Sequence, residues 1–132
     1  MEQHQKNAFA IAKWLQEQPR VQYVLYPGLE NHPGYEINKA QTTGFGGMIS
    51  FAVDNAETAR QILEGVKLIK FAESLGGTES LITYPIRQTH TDLTAEECTE
   101  KGITDCLLRF STGIEATQDL IDDLAQAFAA VK

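Results

Sequence analysis

The stretch Leu107-Leu108-Arg109-Phe110-Ser111-Thr112-Gly113-Ile114-Glu115 reads as an apolar strand with one arginine in its middle. It is met earlier in the chain by Ala72-Glu73-Ser74-Leu75-Gly76-Gly77-Thr78-Glu79-Ser80-Leu81-Ile82, a glycine-hinged loop that opens into a second apolar strand. An arginine within a buried strand is costly unless an anion meets it. Its planar fork suits a carboxylate held by two parallel hydrogen bonds. The Ser-Leu-Gly-Gly loop offers a hydroxyl and backbone N–H groups to the same anion. The two stretches together suggest half of an amino-acid-binding site. The structural alternative is an internal ion pair between Arg109 and Glu115 or Asp105.

Outward from these stretches, helical and strand patterns alternate. Residues 2–17 form an apolar stripe of Ala8, Ile11, Ala12 and Leu15 at helical spacing. Val21–Tyr26 reads as a strand stopped by Pro27-Gly28, and Pro33 is placed to begin a short helix through Ala40. Gly44–Gly47 leads into a strand over Met48–Val53. Asp54 and Glu57 have capping-box spacing for a helix through Glu64, ended by Gly65. Short strands follow at Leu68–Ala72 and Leu81–Tyr84. Thr94 and Glu97 repeat the capping-box spacing for a short helix that ends near Gly102. Asp105–Ser111 is the arginine strand, and the last helix starts near Thr117, with Leu120, Leu124, Ala127 and Val131 on one face. Most strands are short and several connections are too brief for parallel crossovers. The pattern predicts an α+β fold, two layers, with a mostly antiparallel sheet and helices on one face. No repeat or linker divides it, so residues 1–132 are expected to form a single domain.

The chain's 132 residues are enough to bury about two-thirds of the unfolded surface. Hydrophobic content of 42% and charged content of 22% are ordinary for a globular protein. A net charge of −7 argues against nucleic acid or an anionic membrane as partner, because phosphate binding needs a basic face. No apolar run reaches the length of a membrane span and no secretory segment opens the chain, which points to the cytoplasm. Cys98 and Cys106 fit neither a disulfide framework nor a zinc-ligand spacing; they read as one helix-surface thiol and one core-strand thiol. His4, in the opening helix, is expected at the surface, and His32 and His90 are too scattered for a metal site.

The ordered set Tyr26-Pro27-Gly28-Leu29 with His32-Pro33, Gly44–Phe51, the two stretches above, Thr89-His90 and the closing helix resembles the C-terminal domain of the Cys/Met metabolism pyridoxal-phosphate enzymes, the cystathionine synthase and lyase family. The resemblance runs over nearly the whole chain. It implies the small domain of a fold type I enzyme, with the large cofactor-binding domain lying outside these residues. It also implies a soluble homotetramer acting through pyridoxal phosphate on C–S bonds of sulfur amino acids. Such an enzyme needs a lysine to hold the cofactor, an acid for its ring nitrogen and a phosphate cup. None of the lysines at 6, 13, 39, 67, 70, 101 and 132 sits in the family's Ser-x-Thr-Lys setting. The chain alone is therefore expected to be inactive and to bind no cofactor.

Residue by residue, the resemblance assigns Arg109 to the clamp on the substrate α-carboxylate, and Ser74, with Leu75 alongside, to the loop that supports it. Glu73 matches a position where synthases and γ-lyases of cystathionine carry glutamate, which makes it a specificity residue for a cationic distal group. Glu79 is expected to bond local backbone N–H groups. Two other classes remain open at this point: a free-standing regulatory module that binds amino acids, and a purely structural dimerisation domain.

Overall fold

The computed structural model describes residues 1–132. Its elements are α1 (Glu2–Gln16), β1 (Val21–Leu25), α2 (Tyr35–Gln41), β2 (Met48–Val53), α3 (Ala56–Gly65), β3 (Lys70–Phe71), β4 (Leu81–Thr83), α4 (Ala95–Glu100), β5 (Leu107–Ser111) and α5 (Thr117–Ala129). The five strands form one sheet in the order β1-β2-β5-β4-β3. Every pairing is antiparallel except β3 with β4. This is the α+β architecture expected from the sequence.

The pleat decides what each face does. Ile49, Phe51 and Val53 on β2, Leu108 and Phe110 on β5, and Ile82 on β4 are buried against one helical layer. The register sets Phe51 opposite Leu108, and Phe110 opposite both Ile49 and Ile82. Ala8, Ile11, Ala12 and Leu15 of α1, Ala59 and Ile62 of α3, and Leu120 and Leu124 of α5 close that core. Trp14 reaches its edge, packing at right angles on Phe128 with ring centres 5.6 Å apart. The short α4 belongs to the opposite face: its Cys98 packs with Ile103 and Leu107, and Leu107 lies on the same side of β5 as Arg109. The one-face arrangement thus holds for α1, α3 and α5.

Several local expectations are corrected. Asn55, not Asp54, caps α3, its side chain accepting the Thr58 N–H at 2.8 Å, and Glu57 turns instead to Arg60 and Gln61. The helix at Pro33 begins two residues later, because Gly34 takes φ +83° and ends the preceding turn. Only Lys70–Phe71 of the expected 68–72 strand enters the ladder. The N–H groups of Lys67, Leu68 and Ile69 are drawn away by the Asp123 carboxylate on α5, at 2.8–2.9 Å. The two thiols exchange places: Cys98 is buried under α4, whereas Cys106 is half-exposed just before β5, donating to Asp105 at 3.3 Å. The Thr94–Glu97 capping box is formed as expected.

Candidate functional site

Arg109 stands in the middle of β5 on the sheet face turned away from the three long helices. The register places Ser50 of β2 on one side of it and Thr83 of β4 on the other. The guanidinium is half-buried and meets no carboxylate. Glu115 is occupied by Ser80, accepting its N–H at 2.6 Å and its hydroxyl at 2.8 Å. Asp105 accepts Cys106 Sγ through its side chain and the Tyr84 hydroxyl through its carbonyl, at 2.6 Å. The ion pairs of the chain lie elsewhere, at Arg20–Asp54 and around Arg60. Neither internal partner anticipated for Arg109 is used.

The single hydrogen bond of the Arg109 side chain runs from Nη2 to the Glu73 carbonyl, 3.0 Å. One of the five N–H donors of its fork is thereby spent and the others remain available. The neighbouring side chain in the same row works in parallel: Thr83 Oγ1 donates to the Ala72 carbonyl at 2.7 Å. Two adjacent carbonyls are gripped by two adjacent strands, and the loop they hold carries Ser74 and Leu75 directly onward.

That loop is fastened along its length. Gly76, at φ +75°, gives its N–H to Ser111 Oγ at 2.9 Å. His4 Nε2 meets the Gly77 carbonyl at 3.0 Å. The Thr78 carbonyl accepts the Ile114 N–H at 2.9 Å, and Ser80 Oγ accepts the Gly113 N–H at 2.8 Å. Gly113 has to be glycine for this approach, since a Cβ there would run into the Thr78 carbonyl oxygen. Ser74 lies exposed between these ties. Its hydroxyl, its own N–H and that of Leu75 take no partner within the chain. Leu75 is 54% exposed beside them.

The structure therefore brings Arg109, the Glu73 carbonyl and the Ser74–Leu75 backbone into one constellation. The Glu73 carboxylate extends from it into solvent, with no hydrogen bond of its own. Glu79 departs from expectation: its carboxylate takes the Thr78 hydroxyl at 3.4 Å and no backbone N–H, because Glu115 already holds the Ser80 N–H. His4 departs as well, being half-buried rather than at the surface, with Nδ1 enclosed and unpartnered. The sequence reading also missed Asn7, which is fully buried. Its amide donates to the Gly113 and Glu115 carbonyls at 3.0 and 2.9 Å, and its oxygen accepts Thr117 Oγ1 at 2.6 Å. The available signal was a polar residue inside the apolar stripe of α1.

A fork with free donors beside an exposed hydroxyl and two exposed N–H groups is suited to a carboxylate. The site is open, however. Concavities of the surface are lined by other residues, among them one of about 350 Å³ between Phe9, Lys13 and Tyr35 and one of about 450 Å³ over Cys98. All seven lysines are exposed; Lys13 and Lys39 lie over the rings of Phe9 and Tyr35, and Lys70 Nζ donates to the Lys67 carbonyl. No helix is long and apolar enough to cross a membrane.

Comparison with known proteins gives a consistent picture. The family model described as Cys/Met metabolism PLP-dependent enzyme matches residues 1–129. A cystathionine gamma-lyase of Dictyostelium discoideum is 51% identical over 128 residues, 96% of this chain and 33% of that protein. An L-methionine gamma-lyase of Fusobacterium nucleatum is 47% identical over 132 residues, 99% of this chain and 33% of its own. Among solved structures, cystathionine gamma-lyase from Lactobacillus plantarum complexed with L-serine superposes with a TM-score of 0.95 at 39% identity, covering 99% of this chain and 34% of that one. The chain thus spans about a third of the length of the relatives it matches.

Proposed function

The chain belongs to the Cys/Met metabolism pyridoxal-phosphate-dependent enzyme family, and on that premise we propose that it is the C-terminal small domain of a longer enzyme, where it holds the α-carboxylate of a sulfur amino acid. The observation that carries the proposal is the half-buried Arg109 fork, with one donor seated on the Glu73 carbonyl, no carboxylate partner, and the Ser74 hydroxyl on the adjoining loop.

Pyridoxal phosphate, when bound, supplies the electron sink for chemistry at the amino-acid carbon. The residues of this chain do not fit its holding site. Every lysine is exposed and none stands on the sheet row of Arg109. The cofactor is therefore assigned to the part of the enzyme outside this chain, and the contribution here is positioning. Two parallel bonds from Arg109 and a third from Ser74 would fix the carboxylate and with it the rotation of the substrate about its Cα bonds. The ties at Ala72, Gly76 and Thr78 keep the loop from relaxing away when the anion arrives.

We propose a substrate of the cystathionine type, because Glu73 sets an unpaired carboxylate next to the carboxylate clamp, where a distal ammonium would find it. The reaction class is the making or breaking of a C–S bond, as in cystathionine γ-synthases and the γ- and β-lyases. The full-length enzyme is proposed to be a cytoplasmic homotetramer. The openness of the Arg109 face supports a half-site completed by other residues over a self-contained regulatory module.

The test is Arg109→Lys in the full-length enzyme. Lysine keeps the charge and loses the fork. The expected result is normal folding with kcat/KM reduced by about 1.5–3 kcal/mol of transition-state binding. An unchanged kcat/KM would remove Arg109 from the site. A reading frame lacking a Ser-x-Thr-Lys lysine N-terminal to Met1 would overturn the enzyme assignment.

A further inference from the structure

We infer that His4 of α1 is a positioning residue for the Ser74 loop, an inference that rests on the carboxylate-clamp reading of Arg109 and Ser74. Most ties that hold residues 72–80 come from the two strands beside the loop or from the turn after β5. His4 is the tie that comes from the helical layer. Its Nε2 meets the Gly77 carbonyl at 3.0 Å. A carbonyl only accepts, so Nε2 carries the proton in this contact. Nδ1 is enclosed with no partner.

The backbone that carries the imidazole is held in place. The His4 carbonyl accepts Thr112 Oγ1 at 2.9 Å, and Thr112 in turn gives its N–H to the Gly47 carbonyl at 2.9 Å. His4 Cβ abuts Gly47 closely enough that a Cβ on Gly47 would crowd it, at 3.1 Å. The start of α1, the start of β2 and the end of β5 are thereby locked together, and His4 projects from that lock onto the loop. It lands where the loop is weakest. Gly76 and Gly77 form the flexible pair of the segment, and Gly76 occupies the left-handed region at φ +75°. The pair is clamped from both sides, its first N–H by Ser111 and its second carbonyl by His4. Ser74 and Leu75 are the next residues outward. A buried nitrogen without a partner is unfavourable where an apolar side chain would pack. The bond to Gly77 accounts for a histidine at this position.

The experiment compares His4→Leu and His4→Gln in the full-length enzyme, with Arg109→Lys beside them. Leucine removes the donor, whereas the glutamine amide can replace Nε2–H. With His4→Leu we expect KM for the amino-acid substrate to rise roughly three- to ten-fold, the loss of one hydrogen bond, with kcat largely retained. Inhibition by the corresponding amine lacking the carboxylate should be unmoved, and amide hydrogen exchange across residues 73–78 should accelerate. His4→Gln should restore both KM and exchange protection. If His4→Leu leaves KM and loop exchange as they were while Arg109→Lys weakens carboxylate binding, the His4 inference fails and the clamp stands. If Arg109→Lys has no effect, the clamp itself fails. Equal loss in His4→Leu and His4→Gln, with carboxylate and amine ligands affected alike, would make His4 merely structural and overturn the inference. Should His4→Leu not fold, His4→Asn, polar but too short to reach Gly77, takes its place with the same outcomes.

Discussion

In the proposed site Glu73 has two separable parts, its carbonyl and its carboxylate. Its carbonyl is the seat of Arg109, a role any residue fills, whereas its carboxylate is free in solvent. Replacing Glu73 with Val therefore leaves the carbonyl that seats Arg109 in place and removes only the carboxylate, the group proposed to meet a distal ammonium. In the full-length enzyme this should depress kcat/KM for cystathionine more than for a short substrate such as cysteine, because a carboxylate gains more from a charged partner than from none. The ratio of the two constants before and after the substitution is the measurement, and an unchanged ratio would return Glu73 to being a surface acid. Tyr26 shows a different residue-level effect. Its ring is fully buried, its hydroxyl donates to the Gly46 carbonyl at 3.0 Å, and burial pushes its pKa up to about 12. A folded value above the ordinary 10 means that the stabilisation is whole below pH 10 and is lost as pH rises through about 12. Urea midpoints recorded from pH 9 to 12 should fall steeply, and less steeply in Tyr26→Phe. Tyr84, whose pKa is raised by burial and then by Asp105, keeps a residual slope in that variant.

The elements owe their placement to a few side chains that reach between them. Asp123 of α5 is buried and accepts three successive N–H groups from residues 67–69, which hangs the approach to β3 from the last helix. Helix α5 thereby stands in for the missing ladder of that edge strand. Asp123→Ala should cost about 1.5–3 kcal/mol in a denaturant titration, since it strands donors that a charged acceptor now satisfies. A cost within a few tenths of a kcal/mol would mean that water serves those groups equally well. The element pattern itself was open to reading wherever periodicity decides it. β2 was expected over Met48–Val53 and forms over those residues, and α1 and α5 follow their apolar stripes. Boundaries went astray where a tertiary partner competes with the local signal. Asn55 displaces Asp54 as cap, and Asp123 shortens β3.

The molecule as a whole presents one covered face and one largely open one. The helical layer seals the core, while the Arg109 face carries a polar row through Ser50, Arg109 and Thr83, and Leu75 and Phe71 stand half-exposed on the neighbouring segment. The proposed half-site leads to the prediction that the chain alone shows no cofactor absorption band that survives dialysis and can be reduced with borohydride. Finding such a band would place a cofactor lysine within these residues. What the sequence determined by itself was the α+β class, the order of elements, and the candidacy of Arg109, Ser74, Leu75 and Glu73. The class, the element order and the pairing of Arg109 with the Ser-Leu-Gly-Gly loop rest on residue type and spacing, which are local properties of the chain, whereas the roles of Ser74, Leu75 and Glu73 come from the family resemblance. What only the tertiary structure decided was partnership. Glu115 goes to Ser80 and so leaves Arg109 free, the Glu73 carbonyl seats the guanidinium, Cys98 rather than Cys106 is buried, and His4 and Asn7 reach across more than 70 residues to the loops that frame the site. Each of these is a choice among several acceptors of similar chemistry. Spacing along the chain does not rank them; distance after packing does.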